Sequence, residues 1–341
     1  MLRPVSNPPN PWQSVHVELL GQPPPVQVQV HEERARSIVA ANDSPDVPFH
    51  WSVNPYRGCQ HACAYCYARP THELLGWGAG TDFDSRLVVK VNAPELLEAR
   101  LRSRGWRREL LAFSGVTDCY QPLEASYELT RRCLQVCVRH AQPVVVVTKS
   151  ALVRRDAELL AELARAAQVT VFVSVPFLDP EHARLLEPFA PPPAVRLETL
   201  AHLSRAGVPT GVLVAPIIPG LNDNQLPGVL ERAAAAGARR AGMVLLRLPG
   251  RVATVFEERL RTALPLRADK VLAALRDARG GRLNDARFGS RFRGTGARWE
   301  AIEQLFRQAA RRLGLELAER GAREALPLDE ARAPGQQGRL F

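Results

Sequence analysis

From residue 109 onward, short apolar runs alternate with amphipathic stretches at a spacing of about 30 residues, the length of one βα unit. Residues 109–113 (ELLAF), 143–147 (PVVVV), 169–175 (VTVFVSV), 208–214 (VPTGVLV) and 241–246 (AGMVLL) read as strands. Between them, apolar residues recur at three and four positions over 124–140, 155–167, 193–206 and 223–236, which predicts helices. A further strand near 50–53 gives six units. Continuous apolar strands linked by helices imply an α/β fold whose parallel sheet is covered on both faces. The pattern leaves a closed or partly closed barrel and an open doubly wound sheet both open.

The chain has the material for such a fold: 341 residues, 46% hydrophobic and 23% charged, too apolar for a mainly disordered protein. No run of 18 apolar residues occurs, and the Pro-rich start (MLRPVSNPPNPWQS) has no apolar stretch of the signal-peptide kind. The expectation is a cytoplasmic protein without a membrane partner. We read residues 1–45 as a Pro-rich extension that wraps the domain or is mobile, 46–250 as the core, and 251–341 as a basic helical region. Within the last, 254–280 and 298–319 read as helices and 329–341 as a frayed tail.

Three of the six cysteines crowd into one segment, NPYRGCQHACAYCYAR, as Cys59, Cys63 and Cys66. Six cysteines in a chain of this size, with no export signal, argue for reduced thiols and against a disulfide scaffold. A loop with C-x3-C-x2-C spacing can wrap three thiolates around a cuboidal iron–sulfur cluster. Ordinary electron-transfer clusters of this type use four cysteines, so one iron would lack a protein ligand and offer a coordination site to substrate. Competing readings are a Cys3His zinc site completed by His61, although the paired knuckles of structural zinc sites are absent, and inert buried cysteines. Cys133 and Cys137 are four apart on a predicted helix and read as core.

The cysteine segment, with Tyr65 just before the third cysteine and a strand ahead of it, resembles the signature of the radical S-adenosylmethionine (radical SAM) superfamily, and is similar to its spore photolyase-like, DNA repair photolyase-like branch. The resemblance covers about residues 48–250. It implies a partial (β/α)6 TIM-like barrel, a [4Fe-4S] cluster on Cys59, Cys63 and Cys66, and SAM (S-adenosyl-L-methionine) chelating the open iron. One-electron reduction, from a flavodoxin- or ferredoxin-type donor, would cleave SAM to a 5′-deoxyadenosyl radical that abstracts hydrogen from a substrate.

In a parallel barrel, functional groups gather at the C-terminal strand ends, and polar or Gly/Pro residues follow every apolar run on that side. Lys149, one of only three lysines, directly follows VVVVT and is placed to hold the SAM carboxylate. The resemblance implies a ribose contact for Ser174, adenine contacts for Pro216, Ile218 and Gly220, and an approach of Thr117 and Asp118 to the SAM amino group. It also implies that Tyr65 borders the cofactor. Spore photolyase carries a hydrogen-donating cysteine in the strand-two loop, where this chain has Gly115 or its neighbours. Cys119, just past Asp118, is the nearby thiol that could quench a radical.

The formal net charge of +10 is unevenly placed. Residues 1–237 carry 23 basic and 23 acidic groups, residues 238–312 carry 18 and 7, and the remainder 4 and 5. The excess therefore lies in one segment, as expected of a local anion-binding face. Within it, Arg287, Arg291, Arg293 and Arg298 interleave with Phe288, Phe292 and Trp299. This pattern suits either contact with DNA or RNA or a folded strap across the barrel mouth. The sequence thus points to a radical SAM enzyme acting on an unidentified substrate, with a nucleic acid as the candidate; the alternative is a non-catalytic zinc- or iron–sulfur-containing nucleic-acid-binding protein.

Overall fold

The computed structural model describes residues 27–318. Six parallel strands form its centre: β1 (Trp51–Val53), β2 (Leu111–Phe113), β3 (Val144–Thr148), β4 (Val169–Ser174), β5 (Thr210–Ile217) and β6 (Arg240–Leu245). They pair in chain order. A doubly wound sheet would reverse order at a switch point, so this is the singly wound, barrel-like solution. The barrel is partial. Val39–Ala41 lies antiparallel on the free edge of β1, and Glu316–Leu317 lies parallel on the free edge of β6.

Five helices connect the strands: α1 (Ala93–Arg102), α2 (Leu129–Arg139), α3 (Ala157–Ala166), α4 (Pro193–Arg205) and α5 (Leu226–Ala235). Each buries one stripe. In α5 it is Leu226, Val229, Leu230 and Ala233, and in α2 it includes Cys133 and Cys137, which are core residues. β5 approaches its neighbour closely: a Cβ at Gly211 would lie 2.4 Å from the Phe172 ring, so glycine there lets that ring pack over the sheet.

Two features depart from the sequence reading. The helix expected over 254–280 is two helices, α6 (Val252–Ala263) and α7 (Pro265–Asp277). Pro265 has no N–H and its ring cannot continue a helix, but it suits a first turn. The stretch Gln29–Glu33, within the Pro-rich extension for which no strand was expected, is a strand in a second small sheet, parallel to Arg86–Lys90, which also pairs antiparallel with Tyr56–Arg57. Residues 1–26 and the expected tail at 329–341 lie outside the described residues. The last helix, α8 (Ala297–Arg312), buries Trp299 and Phe306. No described helix is long and apolar enough to cross a membrane.

Candidate active site

Because β1 to β6 are parallel, their C-terminal ends share one rim, and the cysteine loop leaves β1 onto it. The loop is tightly coiled. Cys59 N–H donates to Phe83 O, Ala62 N–H to Cys59 O, and Cys66 N–H to Cys63 O. Gly58 has a φ of 74°, and a Cβ there would sit 2.8 to 2.9 Å from Leu87, His72 and Phe83 O, so only glycine fits. Arg69 is completely buried. It donates to Cys63 O through two nitrogens, to Ala79 O and Gly80 O, and to Asp84 at 2.8 Å. From α6, Arg259 donates to Ala62 O and pairs with the same Asp84. The region after the barrel thus grips the cysteine loop.

The three thiols are close enough to raise one another's affinity for protons. Burial and the Asp118, Cys66 and Cys63 charges push the Cys59 thiol well up; burial, Glu187 and Cys66 push Cys63 up to about 12 against Lys149, and burial raises Cys66 against Arg69. Thiols held this way are protonated until a metal displaces the proton. Among the described residues, no three Cys, His, Asp or Glu side chains converge on a point that would hold a single metal ion. A cuboidal cluster needs no such point, since each thiolate binds a different iron. His61, the fourth ligand of the zinc alternative, is buried with Nδ1 3.4 Å from Asp118. One compact three-thiol loop, with Cys59 and Cys63 buried and Cys66 half-buried beside Arg69 and Lys149, therefore fits a cluster with one iron left open.

The strand-two loop is bound to the cysteine loop. Thr117 Oγ1 donates to Gly58 O, Gln121 Nε2 to Gly58 O and Thr117, and Gln60 N–H to Gln121. Asp118 accepts from Thr148 Oγ1 at 2.7 Å, Lys149 N–H at 2.8 Å and Tyr120 N–H at 2.9 Å. Burial would raise its carboxyl pKa, but His61 and these donors hold it down at about 2. Asp118 is thereby a fixed anion tying the β2 and β3 ends to the loop. Cys119 has no exposed surface and lies in the main core, where its thiol is protonated because burial and Asp118 disfavour the thiolate.

Lys149 follows β3 with its ammonium 5.7 Å from the Tyr65 ring centre and 3.9 Å from Glu187 Oε1. Burial opposes its charge, yet Cys63 and Glu187 keep its pKa above the usual lysine range. Glu187 and Arg196 escaped the sequence reading because no motif marks them. Glu187 ends the short helix Pro180–Leu186 in the β4–α4 connection, and Arg196 sits at the start of α4. Both are fully buried and ion-paired. Tyr65 donates its hydroxyl to Glu187, and Arg196 donates to Ser174 O at 3.1 Å. Burial would raise the Glu187 carboxyl, while Arg196 and Lys149 hold it below the ordinary range. The same connection bonds to the cysteine loop at Ala64 N–H to Leu186 O, 2.8 Å.

On β5, the Ala215–Pro216 peptide is cis. Asn222, fully buried, accepts from Ile218 N–H and donates to Pro216 O and Pro176 O; Gly220 N–H donates to Asp223. Pro216, Ile218 and Gly220 thus form a rigid turn on the rim beyond Ser174. The Gly- and Arg-rich residues 280–298 form a folded strap beside β6: Leu245 N–H donates to Phe292 O, and Arg279 donates to Leu246 O, Arg291 O and Arg293 O. Three of its four candidate arginines have acid partners, Arg287 with Asp285, Arg291 with Asp46 and Arg298 with Asp223; Arg293 is exposed.

The radical SAM superfamily model matches residues 53–233, more than half of the chain. The chain belongs to the radical SAM superfamily. Uncharacterized proteins of Mycobacterium tuberculosis and Mycobacterium bovis are 41% identical over 228 residues, 65% of this chain and 66% of theirs. The chain therefore aligns with just under two thirds of those relatives' length. An uncharacterized protein of Methanocaldococcus jannaschii is 31% identical over 172 residues, 50% of this chain and 61% of its own. Among solved structures, spore photoproduct lyase complexed with dinucleoside spore photoproduct superposes with a TM-score of 0.63 at 15% identity, covering 84% of this chain and 81% of that one. That likeness establishes the partial barrel fold expected from the sequence. Family membership implies a [4Fe-4S] cluster and SAM as cofactors.

Proposed function

We propose that this chain is a radical SAM enzyme whose cluster is held by Cys59, Cys63 and Cys66. When bound, cluster and SAM together supply a 5′-deoxyadenosyl radical, formed with an electron from a flavodoxin- or ferredoxin-type donor, for hydrogen abstraction from a substrate. The observation that carries this reading is the three-thiol loop, with Cys59 and Cys63 buried and Cys66 half-buried, on the C-terminal rim of a six-stranded parallel barrel. On that rim Lys149 offers the charge for the SAM carboxylate, and Ser174 stands at the end of β4 for the ribose. The turn offers adenine the half-buried surface of Pro216 and Gly220, with the fully buried Ile218 supporting it from beneath and its N–H held by Asn222. Thr117 and Asp118, whose side chains already have partners, act by fixing the β2 loop and the Lys149 backbone near the SAM amino group. Tyr65 packs beneath Lys149 and links it to Glu187. Cys119, buried in the core, is given no hydrogen-donor role.

The test is metal analysis of protein reconstituted without oxygen. We expect about four irons per chain and a broad absorbance at about 400 nm, both lost in Cys59→Ala. Stoichiometric zinc without iron would overturn the reading and favour the non-catalytic alternative.

A further inference from the structure

Among the described residues, the rim cation Arg247 has no ion-pair partner. Arg247 follows β6; among the described residues its Nε has no hydrogen-bond partner and no carboxylate pairs with its guanidinium. Asp46, whose charge reaches it, is ion-paired to Arg291. Arginine stays charged at any pH a protein meets, and a half-buried charge without a partner is costly. Arg247 is also one member of a stack. Its guanidinium carbon lies 5.8 Å from the Tyr67 ring centre and 4.9 Å from that of Phe292; Arg291 lies 5.1 Å from Phe292 and 4.5 Å from Phe288. The rings at the two ends are half exposed, Tyr67 and Phe288 at 51% each. Tyr67 immediately follows Cys66, so the stack runs outward from the cysteine loop.

We propose that this stack is a docking platform for single-stranded nucleic acid, with Arg247 taking a backbone phosphate and the exposed faces of Tyr67 and Phe288 stacking on bases. Alternating rings and guanidinium groups suit a ligand that offers both flat apolar bases and anions. The surplus of basic over acidic groups, 18 to 7, lies in the segment holding four of the five stack residues. A duplex keeps its bases stacked inside and would present few to the rings. The proposal rests on the radical SAM reading, because Tyr67 would bring the bound strand beside the cluster.

Fluorescence anisotropy tests it, using reconstituted protein and labelled DNA and RNA strands of about 12 nucleotides, together with the DNA duplex. Arg247→Met and Phe288→Leu should each weaken single-strand binding about tenfold, and Arg247→Met should reduce the salt slope by about one. Arg307→Gln, on the solvent side of α8, should leave it unchanged. Phe288 is exposed, so its variant should fold even if Arg247→Met does not. Tighter binding of DNA or of RNA identifies the source of the strand, and either supports the platform. Preference for duplex, no measurable binding, or equal losses in Arg307→Gln would overturn it. Formation of 5′-deoxyadenosine by the wild type without nucleic acid is read in parallel: product with no strand binding removes the platform alone, whereas strand binding sensitive to Arg247→Met without product removes the radical reading alone.

Discussion

Arg69→Met is expected to yield protein that does not hold its cluster. The side chain is buried beneath the cysteine loop and supplies hydrogen bonds to three carbonyls, one of them that of Cys63. Removing it leaves those oxygens unsatisfied and leaves Asp84 with only Arg259 as its cation. Breaking a buried ion pair from one side costs about 3–5 kcal/mol, and stranded carbonyls add to that. For a domain of this size the unfolding midpoint should drop on the order of 10 °C. Arg69→Lys should fail as well, since one ammonium cannot reproduce a planar fork that reaches Cys63 O and Asp84 together. Iron content and thermal unfolding of the two variants check this. Wild-type values for both would mean that the loop is held by other contacts.

The second large effect is expected at Glu187. Glu187→Gln keeps the shape but leaves Arg196 buried without its anion and removes the carboxylate near Lys149. We expect destabilisation of about 3–5 kcal/mol. The double variant Glu187→Gln, Arg196→Met should recover part of that loss, because removing both charges is far less costly than stranding one. Denaturant unfolding of the two single variants and the double variant measures the coupling. Additive losses would show that the pair does not act as a unit. A fall in SAM affinity in Glu187→Gln that persists in the double variant would further mark the anion as the group that orients Lys149.

The alternation of apolar strands and amphipathic helices was readable because the strands are buried on one face and at least half-buried on the other, while each helix buries one stripe. VVVVT and VTVFVSV cannot sit comfortably elsewhere. The cysteine loop was readable because metal chemistry fixes ligand spacing within one short segment. What remained hidden depends on contacts between segments far apart in the chain. Arg69 with Asp84 and Arg259, and Glu187 with Arg196 and Tyr65, are ordinary charged residues in sequence and become buried only when separate βα connections meet on the rim. The same reason explains the basic segment. Its surplus charge is visible in composition, but only the fold shows that Arg291 is spent on Asp46 from the N-terminal region while Arg247 is not spent. The strand at Gln29–Glu33 reads QVHEE, with Val30 as its one aliphatic residue, so no alternation marks it, and its partner, RLVVK, is too short to stand out.

Reductant-dependent formation of 5′-deoxyadenosine from SAM by the anaerobically reconstituted chain decides whether the loop of Cys59, Cys63 and Cys66 holds a working cluster. We expect product in the wild type with reductant present, none without reductant, and none in Cys63→Ala. A wild-type protein that carries its full complement of iron, binds SAM and accepts an electron, yet forms no 5′-deoxyadenosine, would contradict the proposed function.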